Sequence, residues 1–584
     1  MLDAHALLNV ACSVTGRRWV GPDAATERAG LAVAQATGAP EVLGRVLARQ
    51  GVRPDAARAY LAPSLRELMP DPSRLRDMDV AADRLAGAVA RGARIAIFGD
   101  YDVDGAASAA LVGRWLRAQG NAATIYIPDR IDEGYGPNIP AMQTLARAHD
   151  LILCVDCGAR SDAPIAAARA LGAEVLVADH HLCAETPPQA EAVVNPNRHD
   201  DESGLGNLCA AGVCFLLVVA ANRVLRARGM AAPDPLPLLE LVALATVADV
   251  APLTGLNRAF VRQGLKVMAQ RRTPGLRALA DAARLSGPPD AFHLGFVLGP
   301  RINAGGRIGR ADLGARLLMC DDPDEAAALA ARLEELNEER RGVEAAVQAQ
   351  ALAQVEARGA EGPLVWAAGE GWHPGVVGIV ASRLKERYDR PAVVIGLCGA
   401  EGKGSGRSTA GVDLGRAVER LAAEGLLLRG GGHPMAAGLS VAAEAVAPAM
   451  ARLGALLAGQ GAGPAGPRDL RLDGALALGG ATLELCALLD AAGPWGQGAP
   501  APRFAFPSVR LRFAKPAGER HLRLTLGDGP DRLDAVAFGA MEGPLGEFLL
   551  SRAGAPVHVA GRLEIDSWGG GRRAKLRLDD AAPV

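Results

Sequence analysis

Residues 95–116 read IAIFGDYDVDGAASAALVGRWL: a short apolar run, three aspartates within five positions, then a stretch with helical periodicity. Asp100, Asp102 and Asp104 stand where a buried strand should finish. Burying carboxylates together is costly unless a cation or hydrogen-bond donors compensate. The stretch is therefore either a solvated turn or one half of a metal site, and its surroundings decide which.

Working outward, the same alternation repeats. MDVAADRLAGAVARG (78–92) has the spacing of an amphipathic helix and leads into the strand RIAIFGD. After the helix that follows come AATIYIP (122–128, strand), IPAMQTLARAH (139–149, helix), DLILCVD (150–156, strand), DAPIAAARALG (162–172, helix) and AEVLVAD (173–179, strand). Short apolar strands alternating with helices predict βαβ units and a parallel sheet covered on both faces. In such a sheet the carboxyl ends of the strands share one edge, where ligands bind. Three of these strands end in acid: Asp100 with Asp102 and Asp104, Asp156 in CVDCG, and Asp179 followed by His180 and His181 in VADHH. An aspartate at a strand end is commonly a helix cap, and a histidine pair is commonly a surface feature. Three such groups on one sheet edge point instead to divalent cations. Carboxylates with imidazoles suit Mn²⁺ or Mg²⁺, the histidines favouring Mn²⁺. Two ions about 3.5–4 Å apart need about this many ligands. ATVADVAPL (245–253) offers a further carboxylate, Asp249, after an apolar helix.

With 584 residues the chain is too long for one core, so three or four domains are expected. The formal net charge of −2 gives no bulk positive field, so a nucleic-acid partner would have to be met by local basic patches. The nine cysteines are odd in number and scattered, which predicts free thiols and a reducing compartment. The C-x-x-C pair Cys154 and Cys157 has no second pair to complete a zinc site and reads as buried thiols at a strand end. There is no signal-peptide pattern and no run of about 18 apolar residues, so a cytoplasmic location is expected.

Residues 1–80 read as short helices, and 208–320 as mostly helical. The segment 322–359 reads as one long helix with an Asp cap and a Gly end, of the kind that bridges domains. A second α/β segment starts at 363, and AGQGAGPAGPRD (458–469) has the composition of a linker. Beyond it VRLRF, HLRLTLGD, DAVAFG, PVHVAGRLEID and AKLRLDD alternate apolar and polar residues, predicting a small antiparallel, OB-like barrel.

GDYDVDG, CVDCG, ADHH and TVADVAPL, in this order, resemble the DHH phosphoesterase family. The resemblance continues through RINAGGRIG (301–309), GWHPGVVGIVASRL (371–384), GSGRS (404–408) and GGHPMAAG (431–438). This series is similar to the long bacterial members that degrade single-stranded DNA from the 5′ end, and it covers roughly residues 40 to 584. It implies a DHH catalytic domain over 81–320 after an N-terminal helical segment (1–80). A connecting helix (321–360), a DHHA1-type domain (361–457) and an OB-like domain (466–584) follow. It implies a metal-dependent 5′→3′ exonuclease that hydrolyses single-stranded DNA to mononucleotides in recombination and repair, with two ions, Mn²⁺ or Mg²⁺. Its partners would be a single-strand-binding protein and a RecQ-type helicase. Asp102, Asp104, Asp156, His180 and Asp249 match the metal ligands, His181 sits beside them as ligand or supporting partner, and Asp100 orients water or a ligand. Some relatives carry a histidine where this chain has Phe98, which leaves one ion short of a protein ligand that water or His181 would replace.

For the substrate, Arg301, Asn303 and Arg307 with exposed glycine N–H groups, Ser405 and Arg407 in a glycine-rich loop, and Gly431, Gly432 and His433 can grip phosphate. The resemblance adds Arg130 near the scissile end. Tyr135 and Trp372 are candidates for base stacking or for packing. In the barrel, Arg510, Arg512, Arg520, Arg523, Arg572, Arg573, Lys575 and Arg577 read as a single-strand surface or as a solvated charged face, and Phe504, Phe513 and Trp568 as stacking platforms or core. Two other readings are a phosphodiesterase of cyclic dinucleotides or short oligonucleotides and a non-catalytic replication scaffold.

Overall fold

The computed structural model describes residues 6–130, 132–463, 468–528, 531–566 and 571–584. These divide into two compact units. One holds the described residues of Met1–Met69, Val250–Arg262 and Gly466–Val584, the other those of Pro70–Asp249 and Gln263–Ala465.

In the larger unit the run 95–98 is wholly apolar and buried on both faces, as a central parallel strand requires. This strand, β1 (Ile95–Phe98), is joined by β2 (Thr124–Tyr126), β3 (Leu151–Val155), β4 (Glu174–Ala178) and β5 (Ala192–Val194). The sheet is entirely parallel, in the order β2-β1-β3-β4-β5. After β1 the chain passes to one side for β2 and then back to the other for β3. That reversal opens a crevice at the carboxyl end of β1, where the three aspartates follow. The three-residue strand β5 is too short to give a periodic signal in the sequence.

The following helices lie where the apolar spacing places them. Ala210–Ala227 is long and apolar enough to cross a membrane by length and composition, although Asn222, Arg223 and Arg226 interrupt its apolar run, and 72% of it is buried inside the protein. The long helix is Pro323–Arg358, capped by the Asp322 side chain on the N–H groups of Asp324 and Glu325. Along its length it packs first on the helices Pro274–Ala282 and Gly299–Ile308, then on Pro374–Tyr388 and the first strand of a second sheet. That sheet contains β6 (Val365–Glu370), β7 (Ala392–Cys398), β8 (Glu401–Arg407), β9 (Arg429–His433) and β10 (Ala436–Ala442), in the order β9-β10-β8-β7-β6. Only β6 and β7 run parallel.

The smaller unit contains a closed barrel of β11 (Phe504–Ala517), β12 (His521–Leu526), β13 (Leu533–Ala537), β14 (Pro556–Asp566) and β15 (Arg573–Pro583). It is not purely antiparallel as the sequence implied: β13 and β15 close it in parallel. Phe504 is buried in its core, not offered to a ligand. The N-terminal helices share that core through Val33, Leu43, Val46 and Leu47. Strand Arg17–Val20 also pairs in parallel with Arg468–Arg471, and Trp19 donates its indole N–H to buried Asp580 at 2.9 Å.

All nine cysteines are free. Cys154 and Cys157 are fully buried, and burial pushes the Cys154 thiol up to about 12, which matches the reading of inert core thiols.

Candidate metal centre

Each acidic side chain at the sheet edge is held by a different local device. Asp102 caps the helix Val103–Ala118, its Oδ1 accepting from the N–H groups of Asp104 (2.9 Å) and Gly105 (3.1 Å). Residue 105 must be glycine, because a Cβ there would lie 2.4 Å from the Asp100 carbonyl oxygen. Asp104 is fully buried and accepts from the first N–H groups of the helix Ala210–Ala227, Ala210 at 2.7 Å and Ala211 at 2.8 Å. The positive end of that helix thus anchors the carboxylate. Asp156 follows β3 with φ +58°, a left-handed conformation that costs a non-glycine residue energy and is concentrated at functional sites. Asp249 ends the helix Leu239–Ala248.

These groups converge with the two histidines. Ligand atoms of Asp156, His180 and His181 lie within 4.8 Å of one another, as do those of Asp104, His180 and Asp249, and those of Asp100, Asp102 and Asp156. His180 Nε2 is 3.3 Å from Asp156 Oδ1 and 3.7 Å from Asp104 Oδ2, while its Nδ1 is 3.8 Å from Asp249 Oδ2. Asp156 belongs to two of the three groups, as a bridging ligand would. Phe98 is buried in β1 and stacks on Tyr126 at 5.3 Å, so it contributes nothing polar. Asp100, expected only to orient water or a ligand, completes the group on that side.

The electrostatics say what the centre is built to hold. Burial, and then the neighbouring carboxylates, push Asp100 and Asp156 well above the carboxylate range and Asp249 to about 8. Asp100 Oδ1 and Asp156 Oδ1 are buried and have no hydrogen-bond partner. Buried carboxylate oxygens without donors, facing imidazoles, fit divalent cations of the Mn²⁺ and Mg²⁺ type.

One functional carboxylate reads in the sequence only as a strand end. Asp179 is buried and accepts from the N–H groups of His180 (2.7 Å), His181 (3.2 Å) and Ala159 (3.0 Å), and from His181 Nδ1 at 2.8 Å. Although burial opposes it, the bond from His181 keeps Asp179 below its ordinary value. Asp179 is the orienting partner that a ligating imidazole needs. A carboxylate immediately before paired histidines is the signal that could have found it. Tyr135 adds its hydroxyl at 3.0 Å from His181 Nδ1 and 3.1 Å from the Asp156 carbonyl oxygen, so it braces the centre.

Beside the centre, three arginines from distant segments face one another. Arg130 lies 5.0 Å from the Tyr101 ring centroid. Burial first, then the charges of Arg130, Arg340 and Arg407, lower Arg307 to about 10. Burial and Arg130 likewise lower Arg407 and His373. Arg307 donates to the Gly375 carbonyl at 2.9 Å, and Arg407 to Ser405 Oγ at 3.2 Å. None of Arg130, Arg307 and Arg407 has a carboxylate partner among the described residues. Asp100 and Asp102 of the neighbouring centre are the carboxylates whose charges reach this cluster, and neither forms an ion pair with it, which leaves the guanidinium groups able to meet an anion.

The glycine-rich segments that supply two of them are not loops. RINAGGRI lies in the helix Gly299–Ile308, where a Cβ on Gly306 would come within 2.7 Å of the Tyr101 carbonyl oxygen. GSGR lies in β8 and GGGH in β9. β9 is the edge strand of its sheet, so Gly431 and Gly432 pair with Gly438 and Ala437 of β10 on one side only. Arg301 is ion-paired with Glu334 and donates to the Val297 carbonyl at 2.6 Å, so it is committed to holding two helices together. Asn303 is half-buried on the same helix as Arg307. His433 is exposed, its Nδ1 accepting from the Met435 N–H at 3.3 Å. Trp372 is buried and donates to Gln350 at 2.7 Å, which makes it packing and not a stacking surface.

On the barrel, Phe513 (47% exposed) and Phe538 (55% exposed) flank a basic face. Lys515 stands opposite Arg523, and Val536 opposite both Arg523 and Arg577. Arg577 lies 5.3 Å from the Phe538 ring, a pairing that no local pattern in the sequence announces. Arg510, Arg520, Arg573, Lys575 and Arg577 are partly neutralised by nearby carboxylates, whereas Arg512 and Arg523 have no such partner among the described residues. Arg572 is exposed, and Trp568 lies outside the described residues.

With this geometry established, comparison with known proteins is specific. The DHH family N-terminal domain model matches residues 94–246, the DHHA1 domain model 361–459 and the RecJ OB domain model 472–580. The single-stranded-DNA-specific exonuclease RecJ of Salmonella typhimurium is 39% identical over 93% of this chain and 96% of its own. The chain belongs to the RecJ family. The Escherichia coli RecJ exonuclease is 38% identical over the same shares. The crystal structure of Thermus thermophilus RecJ in complex with Mn²⁺ superposes with a TM-score of 0.79 at 33% identity, covering 96% of this chain and 78% of that one. All the metal-centre residues except Asp249 fall within the DHH match.

Proposed function

We infer that this RecJ-family chain is a metal-dependent exonuclease that hydrolyses single-stranded DNA from its 5′ end to mononucleotides. One observation carries the reading: a buried set of acid and imidazole ligands with orphaned oxygens lies beside three arginines that form no ion pair. Divalent ions bound there supply charge neutralisation and a water nucleophile at neutral pH. The chain's own residues do the rest. Asp100, Asp102, Asp104, Asp156, His180, His181 and Asp249 hold the ions. Asp179 and Tyr135 fix the imidazole of His181. Arg130, Arg307 and Arg407, with Ser405, hold the phosphates of the strand end so that the scissile bond meets the centre, and the basic face of the barrel, with Phe513 and Phe538, is a second surface for single strands. The chain acts in recombination and repair in the cytoplasm, with a single-strand-binding protein and a RecQ-type helicase as partners; the family resemblance supports these.

Digestion of a 5′-phosphorylated single strand labelled at either end, with Mn²⁺, Mg²⁺ or EDTA, tests this. The 5′ label is released early as mononucleotide, and EDTA abolishes release. Cleavage of dinucleotides alone would favour the small-substrate phosphodiesterase, and inertness on both would favour the scaffold.

Arg407→Ala raises KM for a 5′-phosphorylated strand by about 10- to 100-fold, the worth of a charged hydrogen bond, with a smaller change in kcat. It also flattens the dependence of log affinity on log salt by about 0.7, one phosphate contact on a single strand. An unchanged salt slope would remove Arg407 from the phosphate path.

A further inference from the structure

The helix that carries Arg307 begins in an irregular way. Residues His293–Leu298 form a π-helical segment that runs directly into Gly299–Ile308. Wide turns of this kind are rare and concentrate at functional sites. Here the segment displays two aromatic rings. Phe296 is 73% exposed, the most exposed large apolar side chain among the described residues, and Phe292 is 50% exposed. Their rings stack with centroids 5.2 Å apart and planes inclined by 24°. Water disfavours such a pair, and the core does not use it, since Leu294 and Leu298 face inward instead.

The pair is continuous with the site. Phe296, Pro300, Asn303 and Arg307 recur at helical spacing as a stripe along one side of this helix, with Phe296 exposed and the other three half-buried, while Ile302, Ala304, Gly305 and Gly306 are buried. The flank beside the rings touches the segments that carry metal ligands. A Cβ on Gly295 would meet Val247 Cγ1 at 3.2 Å, and one on Gly299 would meet Ala248 Cβ at 3.4 Å and Val103 Cγ2 at 3.8 Å. Val103 follows Asp102 and Ala248 precedes Asp249. From Arg307 to Phe296 the helix rises about 16 Å, a span of several nucleotides along a strand.

We propose that Phe292 and Phe296 form a stacking platform for bases of the substrate strand several nucleotides beyond the phosphate held by Arg307. The proposal rests on the single-strand exonuclease reading. The occupant must be a chain that starts at the arginines and runs along this stripe, and it must present flat π faces to two stacked rings. A single nucleic-acid strand does both. Stacking reads no base identity, so the platform is indifferent to sequence, as a degradative enzyme requires. It makes affinity depend on strand length independently of the barrel.

The test is a KM series on 5′-phosphorylated oligonucleotides of two to twelve nucleotides, for the wild type, Phe292→Ala/Phe296→Ala and Phe296→Trp, with Mn²⁺ present. The double variant raises KM about 10- to 100-fold on strands long enough to reach the platform. The penalty disappears on dinucleotides, and on long strands made abasic at the platform positions. Phe296→Trp keeps the wild-type value. A penalty of equal size at every length, or none at any length, would overturn the platform; the latter result would leave the exposed rings to a protein partner. A wild type that cleaves no oligonucleotide would sink the exonuclease reading itself, a result separable from a failed platform.

Discussion

Asp156→Asn lowers kcat on single-stranded DNA by about 10³-fold or more, equivalent to about 4 kcal/mol of lost transition-state stabilisation. The substitution keeps the shape of the side chain, so the loss is chemical. Asp156 belongs to two of the three ligand groups, and its Oδ1 has no hydrogen-bond donor to satisfy it. An amide at the same place cannot provide the charge that both groups share. The ion-free protein behaves in the opposite sense. Removing one of several mutually repelling buried carboxylates leaves the thermal midpoint unchanged or raises it, because burial and the charges of Asp104, Asp102 and Asp100 all disfavour the ionised form. Activity assays beside melting curves in EDTA check both halves. A variant that keeps more than a tenth of wild-type activity would remove Asp156 from the centre, and a lower midpoint in EDTA would make its role structural.

In EDTA, the unit that contains the centre loses stability as the pH rises from about 4 to about 8. Asp249 has a folded-state pKa of about 8, raised by burial and then by Asp104 and Asp102, above the ordinary value of 3.8. The folded protein therefore holds a proton that the unfolded chain has released. Its contribution is complete below the unfolded pKa and disappears as the pH rises through the folded one. A tenfold change in proton affinity is worth about 1.4 kcal/mol, so this group alone accounts for roughly 6 kcal/mol across the window. Asp100 and Asp156 move in the same direction. His181, which Asp179 raises from 6.5 to about 9 although burial opposes it, adds its own loss only above about pH 6.5, as the pH rises toward 9. Saturating Mn²⁺ reverses the slope, because ions bind the deprotonated ligands. At a thousandfold excess over its dissociation constant an ion adds about 4 kcal/mol. Midpoints measured from pH 5 to 8, with EDTA or with Mn²⁺, diverge most at the alkaline end. Parallel curves would mean that the carboxylates are not the ion's ligands.

Much of this architecture was legible because a parallel sheet has a simple grammar. Wholly apolar strands such as 95–98 and 151–155 must be central, and their carboxyl ends must share an edge, so Asp100, Asp156 and Asp179 could be placed together without coordinates. The glycine-rich segments misled because glycine usually weakens helices and strands. Here tight packing overrides that tendency. The helix passes so close to Tyr101 that only glycine fits at 306, and β9 lies so close to β10 that a Cβ on Gly432 would be 2.4 Å from the Ala436 carbonyl oxygen. Partners far apart in sequence were also beyond reach. Nothing local tells Asp104 that the first N–H groups of a helix 106 residues away will hold it, or Arg17–Val20 that it will pair with Arg468–Arg471. The parallel closure of the barrel and the commitment of Arg301 to Glu334 are of the same kind.

The cluster of Arg130, Arg307 and Arg407 has a kinetic side. Three cations that repel one another and form no ion pair are at their least comfortable without an anion, so on the proposed reading they capture a phosphate-bearing end strongly. The mononucleotide produced by each cut carries the same kind of charge and meets the same guanidinium groups. What favours capture therefore slows departure. On the proposed reading an incoming strand held at several phosphates is a stronger claimant than a single nucleotide, and its advance is what clears the product from the cleft.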